Sequence, residues 1–274
     1  MDHLQRALAP ISDAAWEAIE QEVKPRLTTY LAARKLVDFE GPAGWSHSAV
    51  GLGRVTDIAG PSAELSAAQR RVLPLVELRA EFRLERRELD DADRGAADLD
   101  LGGLEAAGRR LALGENTAVF HGYAAGGIRG ISEASSHAPI GLGPDAGHYP
   151  TAVAGAVDVL RQVGIGGPYG LAIAPDIYTE VVERTEHGGI LLFDHLRQIV
   201  GGPLVWAPGL EGGIVLSLRG GDFVLDCGQD ISIGYRGHDA DTVTLYLEES
   251  FTFRVLEPDA AVTLRPAGAG KQKK

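Results

Sequence analysis

The sequence predicts an α+β chain in which helices and strands fall largely into separate blocks, and three observations carry that prediction. Apolar residues recur at helical spacing near the N-terminus and again between Leu104 and Val119. They alternate strictly with charged residues from Val76 to Glu85, and Val243, Leu245 and Leu247 recur at every second position, the period of a strand with one buried face. The order that results is helix, hairpin, long helix, mixed α/β and final strands, with no repeat of about 20–50 residues. The 274 residues, 45% of them apolar, suffice for one large domain or two modest ones.

The elements follow in chain order. Ser12 caps a helix carrying Trp16, Ile19 and Val23 on one face, and Pro25 is expected to kink or restart it before "RLTTYLAARK". "GRVTDIA" and "VELRAEFRLE", separated by "GPSAELSAAQ", suggest a long two-stranded hairpin. Its charged face buries little, so it is expected to lie against something else. Leu104, Ala107, Leu111 and Val119 define a long helix expected to close at Gly126 and Gly127. "TAVAGAVDVLRQVG" is a second helix, closed by Gly164. "PYGLAIAP" is a short buried strand, and Pro175 opens the helix of "APDIYTEVVERT". "LVWAPGL" and "GGIVLSLRG" are further strands, followed by "DISIGY" and "TVTLYLEESFTFRV".

Several classes of chemistry are disfavoured. A formal charge of -12, with one basic cluster in the tail "KQKK", opposes phosphate-backbone binding, so no nucleic acid partner is expected. No apolar run reaches the ~18–20 residues of a membrane span, and "MDHLQRALAPISDAAW" lacks the layout of a signal peptide, so a soluble cytoplasmic protein is expected, with no membrane partner. The eight histidines form no H-x-x-x-H pair, and no metal or cofactor site is expected. "GLGPDAG" is not framed by a strand and a helix as a dinucleotide turn requires. "ELDDADRGAADLD" fails the spacing of a calcium loop and reads as a solvated acidic turn. Neither G-x-S-x-G nor a phosphate-binding P-loop occurs. The single cysteine, Cys227, fits a half-buried strand position better than a nucleophile. No catalytic constellation remains, and no enzyme is expected.

The stretch "RGGDFVLDCGQDISIGY" has glycines at 220, 221, 228 and 234 that bracket short strands. Together with "HDADTVTLYLEESFTF", it resembles the C-terminal signature of the encapsulins, the nanocompartment shell proteins of bacteria and archaea. "LAPISDAAWEAIEQE", "ARKLVDFEGPAGW", "LPLVELRAEFRLERRELDDADRG", "AVFHGY", "GGPYGLAI" and "RTEHGG" extend the resemblance over nearly the whole chain. It is to the family 1 encapsulins, some of which carry a linocin, bacteriocin or protease label; no residue here supports such an activity.

The resemblance implies the Hong-Kong-97-type fold of phage major capsid proteins. It implies an N-terminal helical arm (residues 1–44), an extended loop reaching a neighbouring subunit (45–74) and a peripheral domain with its spine helix (75–132 and 223–264). An axial domain (133–222) and a flexible tail (265–274) complete the division. It further implies a closed icosahedral homo-oligomer of about 60 copies, the order of that closed symmetry. The enclosed cargo would be a dye-decolourising peroxidase or ferritin-like protein bearing a C-terminal targeting peptide. By position the cargo groove would comprise Arg34, Leu36, Asp38, Asp230, Ile231, Ile233 and Tyr235, although Ile231 and Ile233 also suit an ordinary core. A five-fold pore loop would present Glu183, Glu186 and His187. A tryptophan associated with flavin in some relatives is replaced here by Arg87, which opposes flavin binding. A prophage capsid protein shares the fold but would favour a basic lumen, and a stand-alone hydrolase would need a nucleophile and base that are not found.

Overall fold

The computed structural model describes residues 3–185 and 189–266. Its elements in chain order are α1 (Asp13–Tyr30), β1 (Asp38–Glu40), β2 (Ala49–Ile58), β3 (Ala67–Pro74), β4 (Val76–Glu85), α2 (Arg86–Asp93), α3 (Gly102–Phe120), α4 (Ile131–Ala134), β5 (Ile140–Gly141) and α5 (Tyr149–Gln162). There follow β6 (Tyr169–Ile173), α6 (Pro175–Glu183), α7 (Leu192–Val200), β7 (Leu204–Trp206), β8 (Gly213–Ser217), β9 (Phe223–Cys227), β10 (Ser232–His238), β11 (Thr242–Val255) and β12 (Ala261–Arg265).

Two five-stranded sheets organise the chain. In the first, β11 is the shared strand. Its N-terminal part lies between β10 and β4, both antiparallel to it, and its last five residues pair with β9, which carries β1 parallel on its far side. The helices α1 and α3 cover one face. Trp16, Ile19, Val23, Leu27, Leu104 and Leu111 meet Ala80, Phe82, Leu84, Val243, Leu245 and Leu247 in one core. The second sheet has the order β5-β12-β8-β6-β7, and α5, α6 and α7 contribute Val153, Leu160, Ile177, Val181, Leu192 and Leu196 to its core. Every described residue of β6 and β8 is buried, as expected of central strands packed on both faces.

Some expectations change here. Ser12 caps α1 by accepting from the Ala15 amide at 3.1 Å, but Pro25 does not interrupt the helix, which runs on to Tyr30. Pro25 sits on the exposed side, where the carbonyl left without a partner one turn earlier can face water. The hairpin forms from β2 and β3 (Ala49↔Pro74 to Ile58↔Ala67), whereas the charged-faced "VELRAEFRLE" leaves it and pairs along β11 from Val76↔Phe251 to Glu85↔Thr242. Its apolar alternation therefore faces the α1–α3 core. The first part of the acidic stretch after it is not a turn but belongs to α2, held down by the buried Leu89, and only residues 94–100 form the expected irregular, mostly exposed segment. Helix α3 stops at Phe120 rather than at Gly126, because Gly122 adopts φ +102° and its amide turns back to the Thr117 carbonyl at 3.1 Å. Helix α7 and strand β12 had no clear counterpart in the sequence reading. Strand β12 joins β8 and β5 in the second sheet, although residues up to 264 were expected to go with the first.

Candidate functional site

A buried polar cluster joins the N-terminal arm to the rest of the chain. The 3-10 turn Ala33–Lys35 is fixed by Asn116 of α3, whose Oδ1 accepts from the Ala33 amide at 3.0 Å while its Nδ2 donates to the carbonyls of Tyr30 (2.8 Å) and Pro208 (2.9 Å). That turn aims Arg34 into the protein. Its Nε donates to Glu115 of α3 at 2.7 Å, one terminal nitrogen to Asp230 at 2.7 Å and the other to Glu249 of β11 at 2.9 Å, with the Phe39 ring 4.8 Å from the guanidinium carbon. Glu115 and Glu249 are fully buried. Burial alone would lower the Arg34 pKa, but the carboxylates of Glu115 and Glu249 outweigh it and hold the arginine charged. Glu249 is pushed well above the usual carboxylate range by burial and then by the negative field of Glu115, against which Arg34 acts. The two glutamates lie within hydrogen-bonding reach of each other, and each keeps one oxygen without a partner among the described residues. The arrangement is one arginine holding two buried carboxyl groups, of which Glu249 keeps its proton above the usual carboxylate range.

The expected docking residues divide accordingly. Leu36 (5% exposed), Ile233 (4%) and Tyr235 (9%) are core side chains, Leu36 in the second-sheet core and the other two beneath α1 and α3. Arg34 is committed to its three carboxylates. Asp38 is exposed and accepts from the Gly221 amide at 2.5 Å. Asp230 and Ile231 are half-buried, beside each other at the start of β10. Asp38 also borders a cleft of about 200 Å³ between residues 35–38 and 217–223. The sequence reading missed Glu115 and Glu249. The available signals were a glutamate four residues after Leu111 in the apolar stripe of α3, and a second consecutive glutamate where β11 should alternate. Cys227 is fully buried in β9, and burial followed by the field of Asp230 pushes its thiol up to about 12, which keeps it protonated and unreactive.

The β2–β3 hairpin pairs with no other strand among the described residues. Val55, Ile58, Leu65 and Val72 are each more than half exposed. Its base, by contrast, is anchored. Ala43 and Gly44 donate to the carbonyls of Cys227 (3.0 Å) and Gly228 (2.7 Å), Leu75 donates to Ser48 (3.0 Å), and His3 stacks on Trp45 at 4.6 Å. A fixed base with an unpaired arm suits a contact made outside the chain.

Of the expected pore residues, Glu186 and His187 lie outside the described residues. Glu183 ends α6 and lines a cleft of about 690 Å³ together with Asp145, Tyr149, Asp176, Glu180 and Arg184. Arg87 is exposed on α2, 3.8 Å from Asp91. Among the described residues no group of three His, Cys, Asp or Glu side chains could hold a metal ion, and no helix is long and apolar enough to cross a membrane.

Comparison with known proteins accords with this architecture. A family model described as "Encapsulating protein for peroxidase" matches residues 1–252. The chain is 48% identical over 271 residues to a type 1 encapsulin shell protein of Rhodospirillum rubrum, covering 97% of each chain. It is 40% identical over 264 residues to one of Mycobacterium tuberculosis, covering 96% of this chain and 99% of that protein. Among solved structures it resembles a virus-like particle from Pyrococcus furiosus (TM-score 0.66, 18% identity, 91% of this chain and 98% of that one). It also resembles the capsid of an empty GTA particle (TM-score 0.57, 16% identity, 87% and 90%). At these identities the structural likeness concerns the fold alone, which is that of the phage major capsid proteins.

Proposed function

The chain belongs to the encapsulin shell-protein family, with a capsid-like fold, and on that premise we propose that it is the subunit of a closed icosahedral shell of about 60 copies, the order of that closed symmetry. The shell encloses a cytoplasmic cargo enzyme, a dye-decolourising peroxidase or a ferritin-like protein, docked through a C-terminal targeting peptide. The observation that carries this reading is the anchored but unpaired β2–β3 hairpin, whose exposed backbone and apolar side chains are completed by a neighbouring copy. The shell is structural: its fully buried, protonated thiol offers no nucleophile, and the chemistry belongs to the cargo.

Docking in this reading uses the accessible members of the expected set, Asp38, Asp230 and Ile231, while Leu36, Ile233 and Tyr235 shape the wall from within. Arg34 fixes Asp230 rather than meeting the peptide. Deletion of residues 55–70 tests the shell reading. Size-exclusion chromatography and electron microscopy should then show soluble capsomers or aggregates in place of uniform hollow particles, and intact shells from the deletion variant would refute it.

A further inference from the structure

We infer that the second sheet carries a second, electrostatically keyed contact between copies, in which the acidic cleft beside α6 receives the arginine-bearing α5–α7 edge of a neighbour. The inference rests on the shell reading above and specifies a different surface from the hairpin.

The topology separates the two surfaces. Strands β5, β12, β6 and β7 all run the same way, and only β8 opposes them. The cleft, lined by Leu142, Pro266 and α6, sits where β5, β12 and β6 end. Arg161, the Gly164–Pro168 loop and Arg197 to Pro203 sit where β6 and β7 begin, toward the opposite edge. Five residues of strand place them about 17 Å apart along the sheet, too far to satisfy each other within one chain.

Their chemistry is complementary. Asp176, Glu180 and Glu183 form no ion pair among the described residues, and Arg184, 3.7 Å from Asp145, is the arginine lining the cleft. Burial, the hydrogen bond from Tyr149 to Glu180 at 2.7 Å, and the charges of Glu180, Asp176 and Asp145 raise the Tyr149 pKa, as a concentrated negative field would. On the other surface Arg161 and Arg197 are exposed, lie 6.0 and 5.8 Å from the centroids of the Tyr169 and Phe193 rings, and have no carboxylate within 4.0 Å among the described residues; Asp158 on α5 and Asp194 on α7 each precede them by about one turn. The α6 surface also exposes Val182, and the end of α5 exposes Val163, apolar groups of the kind that seat between subunits. One surface is concave and negative, the other carries exposed arginines with no carboxylate partner among the described residues. In an assembly of identical chains, two unlike surfaces on opposite corners make a heterologous contact that repeats around a symmetry axis.

The test is charge reversal with a swap. Asp176→Lys with Glu183→Lys, and separately Arg161→Glu with Arg197→Glu, should each lower the assembled fraction at least tenfold at ~0.15 M salt, where such contacts act within a Debye length. All four changes in one chain restore the complementarity and should restore assembly. Circular dichroism and thermal melts of the unassembled chains check that each variant folds. Assembly of both reversed variants at the wild-type level would overturn the inference, as would failure of the fourfold variant to recover. Wild-type chain that forms no closed particles would instead overturn the shell reading.

Discussion

Replacing Glu249 by glutamine removes the raised titration of that carboxyl group from the Arg34 cluster. In the folded chain Glu249 holds its proton above the usual carboxylate range because it is fully buried against Glu115. The unfolded chain releases that proton, so unfolding is accompanied by proton loss. The contribution of Glu249 to stability is therefore complete below the unfolded pKa and is lost as pH rises to the folded one, at about 1.4 kcal/mol per pH unit. Glutamine keeps the shape and one acceptor without titrating. Wild type and Glu249→Gln should thus diverge as pH rises above the ordinary carboxylate range, the variant gaining relative stability at that slope. Removing Arg34 has the opposite consequence. Arg34→Met leaves two buried carboxyl groups with no cation at 2.7 and 2.9 Å, and breaking a buried pair in this way costs about 3–5 kcal/mol. Urea unfolding monitored by tryptophan fluorescence, at fixed protein concentration and stepped pH, measures both. Parallel pH profiles for wild type and Glu249→Gln would refute the raised Glu249 pKa, and a loss below about 1 kcal/mol in Arg34→Met would refute the cluster as the link between arm and sheet.

Three further outcomes are expected. Ile231→Asp should abolish co-purification of a targeting-peptide fusion while shells still form, and retained loading in those shells removes Ile231 from the docking surface. Gly41→Ala should cost about 1–3 kcal/mol in thermal or urea unfolding, because Gly41 lies at φ +125° and an added Cβ would stand 2.3 Å from the Cys227 carbonyl oxygen; unchanged stability would contradict that close approach. Iron uptake by loaded shells should fall as pH drops toward the imidazole range of about 6.5 and become less pH-dependent in His187→Ala, with free cargo as the control; identical profiles would exclude His187 from ion entry.

The alternation of Val76 to Glu85, the stripe from Leu104 to Val119, the Ser12 cap and the Pro175 start were legible because each depends on neighbours within a few residues along the chain. Local chemistry determines period, cap and turn, and with them the α+β class; the quoted motifs then pointed to the family. Pairing was a different matter. "VELRAEFRLE" could close a hairpin on "GRVTDIA" or line a sheet beside β11, and both choices satisfy the same alternation. Burial against α1 and α3 decides for the sheet, since it removes Ala80, Phe82 and Leu84 from water, which the exposed hairpin could not do. Ile233 and Tyr235 likewise alternate as a docking strand or a core strand would. Only the helices laid over them decide that they face inward, and only the approach of residues 34, 115, 230 and 249, up to 215 positions apart in the chain, turns an arginine, two stray glutamates and an aspartate into one charged cluster. Periodicity records which face of an element is apolar, whereas the partner of that face is set by the packing of distant segments, which no local pattern encodes.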